Sequence, residues 1–201
     1  MAGVSDMADG VLFLIPARGG SQRIIGKNLR SVAGIPLVGR AARTSRLVAG
    51  LVPGGPHRVV CSTDDPAIAA VARAWGAETP FERPAALATA GATSVDVALH
   101  ALGSMATLGS RFRALVLVQP TSPLTEPADV AAALERFDAA GGAGVVSVTG
   151  THPAGWHHAL GSDDALEPVE AVDADTILTG AFYVVDPARL ERFKITLREV
   201  F

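Results

Sequence analysis

Four short runs of apolar, largely β-branched residues recur along the chain, and they limit its possible folds more than any other feature. "VLFLI" (11–15), "RVVCST" (58–63), "ALVLV" (114–118) and "GVVSV" (144–148) show little alternation of polar and apolar positions. Such runs suit strands covered on both faces, as in a parallel sheet, whereas a strand with one wet face alternates. Between them lie alanine-rich stretches of helical length. Pro36 is placed to open a helix running to about residue 49, with Leu37, Ala41 and Val48 on its inner face. Asp65-Pro66 reads as an N-cap followed by a first-turn proline, and Gly76 closes that helix. Residues 94–108 and 126–140 supply two more helices, the second ending in Gly141-Gly142. "GAFYVVD" (180–186) reads as a late strand, with Pro187 starting a short helix. Strand alternating with helix predicts an α/β fold: a doubly wound, mostly parallel sheet with helices on both faces and right-handed crossovers.

A chain of 201 residues predicts a single domain, with the less regular segment 149–176 as a small excursion. With 49% apolar and 18% charged residues it can build a core, which excludes a disordered chain. A net charge of −3 gives no general electrostatic case for nucleic acid or an anionic membrane, so anion binding has to come from a local cluster. The single cysteine, Cys61, excludes an internal disulfide and a thiolate zinc site, and it reads as a small core residue. The opening "MAGVSDMADG" lacks the basic and apolar regions of a signal peptide, and no apolar run reaches about 18 residues. A cytoplasmic protein with no membrane and no nucleic-acid partner is therefore expected.

The cluster that could bind an anion follows the first strand. "PARGGSQRIIGKN" (16–28) places Arg18, Arg23 and Lys27 around Gly19 and Gly20. In a doubly wound sheet, ligands sit where loops leave the carboxyl ends of strands. Glycines let backbone N–H groups approach an anion closely, and the basic side chains add charge. The spacing matches neither the dinucleotide fingerprint nor the P-loop. From the residues alone, an anion-binding loop and a solvated basic loop with turning glycines are equally compatible.

The longer block "PARGGSQRIIGKNLRSVAGIPLV" resembles the amino-terminal signature of the acylneuraminate cytidylyltransferase family, which makes CMP-activated acid sugars. The resemblance continues through "STDDPAIAAVARAWGAE" (62–78), "RPAALATAGATSVDVALHAL" (83–102), "LVQPTSPLTEPADVAAAL" (117–134), "GVVSV" and "GAFYV", in family order over roughly residues 11–186. It implies a Rossmann-like nucleotidyltransferase fold, CTP as substrate, Mg2+ as divalent cation, and a homodimer with 149–176 in its contact. The implied reaction moves CMP from CTP to a hydroxyl of a sialic-acid-like sugar and releases pyrophosphate. By position, Arg18, Gly19, Ser21, Gln22, Arg23, Lys27 and Asn28 correspond to the nucleotide loop, with Arg18 and Lys27 as the catalytic cations. Gln22 stands where the family commonly has lysine, and Arg23 is then the candidate for the displaced charge. Ser62 and Asp64 fall near the cytidine, Arg83 near the nucleotide, and Thr93-Ser94 at a helix start facing the phosphates. Gln119, Thr121, Ser122, Thr179, Gly180 and Tyr183 correspond to the acceptor side.

Several positions depart from the family pattern. No arginine or glutamine lies between residues 160 and 179, where the family usually has an Arg-Gln pair for the acid sugar. Thr179 replaces an asparagine, and Thr125 replaces an arginine. The family's Asp-x-Asp metal pair follows this region, and the sequence reaches Phe201 about where that segment would begin. Asp173 and Asp175 share the i, i+2 spacing but precede the late strand, and Asp96 is either a site residue or a first-turn acid. The metal ligands therefore stay unassigned. His152, His157 and His158, around Trp156, fit no zinc spacing and read as surface or interface residues. Three alternatives accompany the main expectation: a different acidic acceptor such as a phosphonate, a non-catalytic nucleotide binder, or a partner subunit of a related enzyme.

Overall fold

The computed structural model describes residues 10–21, 23–150, 158–160, 166–168 and 176–190. In chain order the elements are β1 (Val11–Pro16), a small ladder of β2 (Ser31–Val32) and β3 (Ile35–Pro36), α1 (Leu37–Leu51), β4 (Arg58–Ser62) and α2 (Pro66–Ala74). They continue with α3 (Ser94–Thr107), β5 (Ala114–Val118), α4 (Pro127–Ala139), β6 (Val145–Gly150), β7 (His158–Leu160), β8 (Leu166–Pro168) and β9 (Thr176–Val185). The main sheet has the order β4-β1-β5-β9-β7-β8, with β6 also paired to β9. β4 and β5 flank β1 in parallel. β9 runs antiparallel to β5, β6 and β7, and β8 is antiparallel to β7. Thus β4, β1, β5, β6 and β7 point one way, and only β9 and β8 oppose them: a mixed sheet of mostly like-directed strands.

The expected strands and helices are present, and one differs in character. "GVVSV" was expected as a parallel strand covered on both faces, but β6 lies antiparallel against β9 and residues 145–148 are only half-buried. An apolar run without alternation carries no information about a neighbour's direction. Here β9 turns back along β5 and offers β6 its other edge.

β1 is fully buried from Val11 to Ile15, and its period of two divides the molecule. Val11, Phe13 and Ile15 join a core with Val38, Ala42 and Val48 of α1, Ile68 and Ala72 of α2, and Leu134 and Phe137 of α4. Leu12 and Leu14 join a second core with Val95, Ala98, Ala101 and Met105 of α3. Helices on both faces are therefore a direct consequence of the unalternating run. Helix starts are fixed locally. Asp65 accepts from the N–H groups of Ala67 and Ile68 at 2.8 and 3.2 Å, capping α2 before Pro66. Thr93 and Asp96 form a reciprocal capping box at α3. Gly76, with φ 87°, ends the turn after α2 in the left-handed region that favours glycine. Among the described residues, no helix is long and apolar enough to cross a membrane.

Candidate active site

The loop after β1 folds back on itself at the carboxyl edge of the sheet. Ala17 donates its N–H to the Ser62 carbonyl at 3.0 Å, and Gly19 donates to Asp64 Oδ1 at 3.0 Å. These two bonds tie the loop to the end of β4. Farther on, Asn28, buried in a short 3-10 turn (Lys27–Leu29), donates from Nδ2 to the Arg18 carbonyl at 2.9 Å. Asn28 therefore closes the loop and brings Arg18 and Lys27 to one side. The close approach explains one glycine directly: a Cβ at Gly19 would lie 2.8 Å from Asp65 Oδ2.

A third cation enters from the opposite wall. Arg83 is only 4% exposed, unusual for a group that keeps its charge. Its Nε donates to Ser62 Oγ at 3.1 Å, its Nη2 to the Ser62 carbonyl at 2.5 Å, and its N–H to the Thr63 carbonyl at 3.0 Å. Burial draws its pKa below the usual arginine value, Asp64 pushes it back up, and Arg18 lowers it by like-charge repulsion. Arg18 reaches the Ala88 carbonyl from Nη1 at 3.5 Å. Among the described residues, Arg18, Lys27 and Arg83 form no ion pair.

Between these walls is a cleft of about 220 Å³. Arg18, Ser21, Lys27 and Asn28 line it from the β1 loop, Arg83 and Leu87 from the opposite wall, and Thr93, Ser94 and Val97 from the start of α3. Gln119, Pro120 and Thr121 line it from the loop after β5, where Gln119 Nε2 meets Ser94 Oγ at 3.5 Å. Among the described residues, no aspartate or glutamate lines the cleft. Its charge is that of three cations and a helix N-terminus, which favours a polyanion. Among the described residues, no group of three or more His, Cys, Asp or Glu side chains could hold a metal ion.

Nine sequence-predicted residues thus share the cleft: Arg18, Ser21, Lys27, Asn28, Arg83, Thr93, Ser94, Gln119 and Thr121. Others are placed elsewhere. Gly19 is not in the lining, and its backbone N–H goes to Asp64. Ser62 is fully buried behind Arg83. Arg23 is exposed, outside the cleft. Ser122 closes a turn, donating its N–H to the Gln119 carbonyl and accepting from Thr125 Oγ1 at 2.9 Å. Thr179 is exposed and bonds Ser147 across the β6–β9 pair, Oγ to Oγ1 at 2.5 Å. Gly180 has φ 65°, and Tyr183 packs beside the α3 core, where burial raises its phenol pKa. Asp96 serves the α3 capping box. Gln22, Asp173, Asp175, His152 and His157 lie outside the described residues, as does the side chain of His158.

Sequence reasoning missed the cleft wall made by Leu87, Thr89, Ala90 and Ala92. The available signal was smallness: "ATAGAT" lets backbone come close to a bound molecule between Arg83 and the α3 cap.

A doubly wound sheet with cations at its carboxyl edge, facing the start of a helix, defines an α/β protein with a site suited to an anion. The profile of the cytidylyltransferase family matches residues 12–173, and the chain belongs to that family. It is 36% identical over 139 residues to a CMP-N,N'-diacetyllegionaminic acid synthase of Legionella pneumophila, covering 69% of this chain and 57% of that protein. It is 30% identical over 193 residues to an N-acylneuraminate cytidylyltransferase of Oncorhynchus mykiss, covering 89% of this chain and 42% of that protein. The chain thus spans about half the length of these relatives. Among solved structures it resembles a CMP:2-keto-3-deoxy-manno-octonic acid synthetase complexed with CTP. There the TM-score is 0.64 at 19% identity, covering 94% of this chain and 78% of the other, and the likeness is one of fold.

Proposed function

We propose that the chain is a cytidylyltransferase that transfers CMP from CTP to a hydroxyl of a sialic-acid-like sugar. The hydroxyl oxygen attacks the α-phosphorus in line, the bond from that phosphorus to the β-phosphate bridging oxygen breaks, and pyrophosphate leaves. The hydroxyl proton passes to solvent. The observation that carries this proposal is the convergence of Arg18, Lys27 and Arg83 with the α3 N-terminus on one cleft. Phosphoryl transfer asks a protein mainly to position the reactants and offset charge, and this lining suits that task. Arg18 and Lys27 stabilise the triphosphate and the departing pyrophosphate, aided by Ser21. Asn28, Arg83 and Ser94 position the nucleotide. Gln119 and Thr121 face the acceptor.

Magnesium is expected with CTP in this family. A hard cation prefers carboxylate oxygens, and the described lining supplies none. Those residues do not by themselves fit a magnesium site. A cytoplasmic homodimer completes the proposal, with a contact expected in residues 149–176, most of which lie outside the described residues, and sedimentation of the purified chain tests the dimer. The absence of carboxylates among the described lining residues also favours a second possibility, a nucleotide-binding chain that turns over only with carboxylates from elsewhere.

The test is pyrophosphate release with CTP, magnesium and a panel of sialic-type and phosphonate acceptors, beside calorimetry of CTP binding. Turnover on an acid sugar supports the transferase, and tight CTP binding without turnover on any acceptor supports the second possibility. Charge reversal at both Arg18→Glu and Lys27→Glu is expected to weaken CTP binding by at least about a hundredfold, since each removes a charge-assisted contact. Unchanged affinity would rule out the cleft as the nucleotide site.

A further inference from the structure

The turn after β4 lies between the two cationic walls of the cleft and bonds to both. Its Asp64 carboxylate holds Gly19 of the β1 loop, and the Ser62 carbonyl takes the N–H of Ala17. On the other side, Ser62 offers Arg83 two acceptors at once, its hydroxyl to Nε and its carbonyl to Nη2. Ser62 has no exposed surface, so it cannot touch a ligand itself.

A guanidinium carries five N–H groups in a rigid plane. Ser62 engages two of them, both on the Nε–Nη2 edge, and Arg83 also lines the cleft. Two anchored donors on one edge fix both the plane and the depth of the group. A single anchor would leave it free to rotate about that bond. The Thr63 carbonyl, which accepts the Arg83 N–H, and Pro84 hold the backbone of the same residue.

We infer that Ser62 is a positioning residue that sets the Arg83 guanidinium for the nucleotide. This rests on the proposed function, because it gives Arg83 a ligand to meet. It replaces the expectation that Ser62 contacts the nucleotide directly. The alternative is that the hydroxyl only satisfies a buried arginine, in which case its loss would lower stability and leave recognition alone.

A double-mutant cycle on CTP binding separates the two. Ser62→Ala is expected to weaken CTP about tenfold, the worth of one hydrogen bond to a charged group. Arg83→Met keeps the aliphatic stem and removes the donors. In that background, Ser62→Ala is expected to change affinity less than about twofold, because the residue through which it acts is gone. An equal loss in both backgrounds, or no loss in either, would overturn the role. A reading on the unaltered chain covers the case in which a variant fails to fold. The Arg83 Nε–H proton, followed by NMR, is expected to exchange slowly with solvent, and fast exchange would overturn the clamp. If the unaltered chain bound no CTP, the proposed function would fall and this role with it. Parent binding with an unaffected Ser62→Ala would overturn this role alone.

Discussion

Cys61 shows how one residue type can be read in advance and how far that reading extends. It is fully buried on β4, and burial pushes its thiol up to about 12 from an ordinary 9.0, with Arg83 the opposing influence. At pH 8 the native thiolate fraction is then lower than in the unfolded chain by roughly a thousandfold. Alkylation by iodoacetamide, followed by mass spectrometry, is expected to be at least that much slower without denaturant than with it. The sign of the pH effect follows from proton counts. Between about pH 9 and 12 the unfolded chain has lost this proton and the native one keeps it, so stability falls as pH rises through that window. The core role of Cys61 was legible because a lone cysteine in an apolar run has little else to do. The distinction between Arg83 and Ser62 was not. Both were expected as nucleotide contacts, and only packing separates the side chain that lines the cleft from the one behind it.

Among the elements, starts and stops were more legible than neighbours. Asp65-Pro66, Thr93 with Asp96, and Gly76 mark helix ends by hydrogen bonds and backbone angles that depend on residues a few positions away. Asp65→Ala is therefore expected to cost about 1 kcal/mol of stability, the usual worth of an N-cap. For a chain of this size that lowers the melting temperature by about 2–4 °C, measurable by calorimetry. CTP affinity should change little, since Asp64, not Asp65, holds the Gly19 N–H. Strand pairing follows different physics. β6 pairs with a strand that begins 26 residues after it ends (176 − 150 = 26), and no local pattern in "GVVSV" encodes that meeting. The cleft wall at residues 87–92 escaped notice for a related reason. Its residues bear no charge, and they matter only because α3 and Arg83 enclose them.

For the whole molecule, β1 is the plate on which both cores are built, and Phe13 is among its largest wholly buried side chains. Phe13→Ala is expected to destabilise the protein by about 3–5 kcal/mol, read from urea unfolding. The cationic cleft has a thermal consequence as well. Arg83 feels the repulsion of Arg18 and the larger attraction of Asp64, and a dense anion in the cleft adds to that attraction. Inorganic pyrophosphate at a hundred times its dissociation constant is expected to add about 2.7 kcal/mol and shift the melting curve upward by at least about 5 °C. The shift should shrink with added potassium chloride, so that background electrolyte tunes how warm a bath the empty fold survives relative to the filled one.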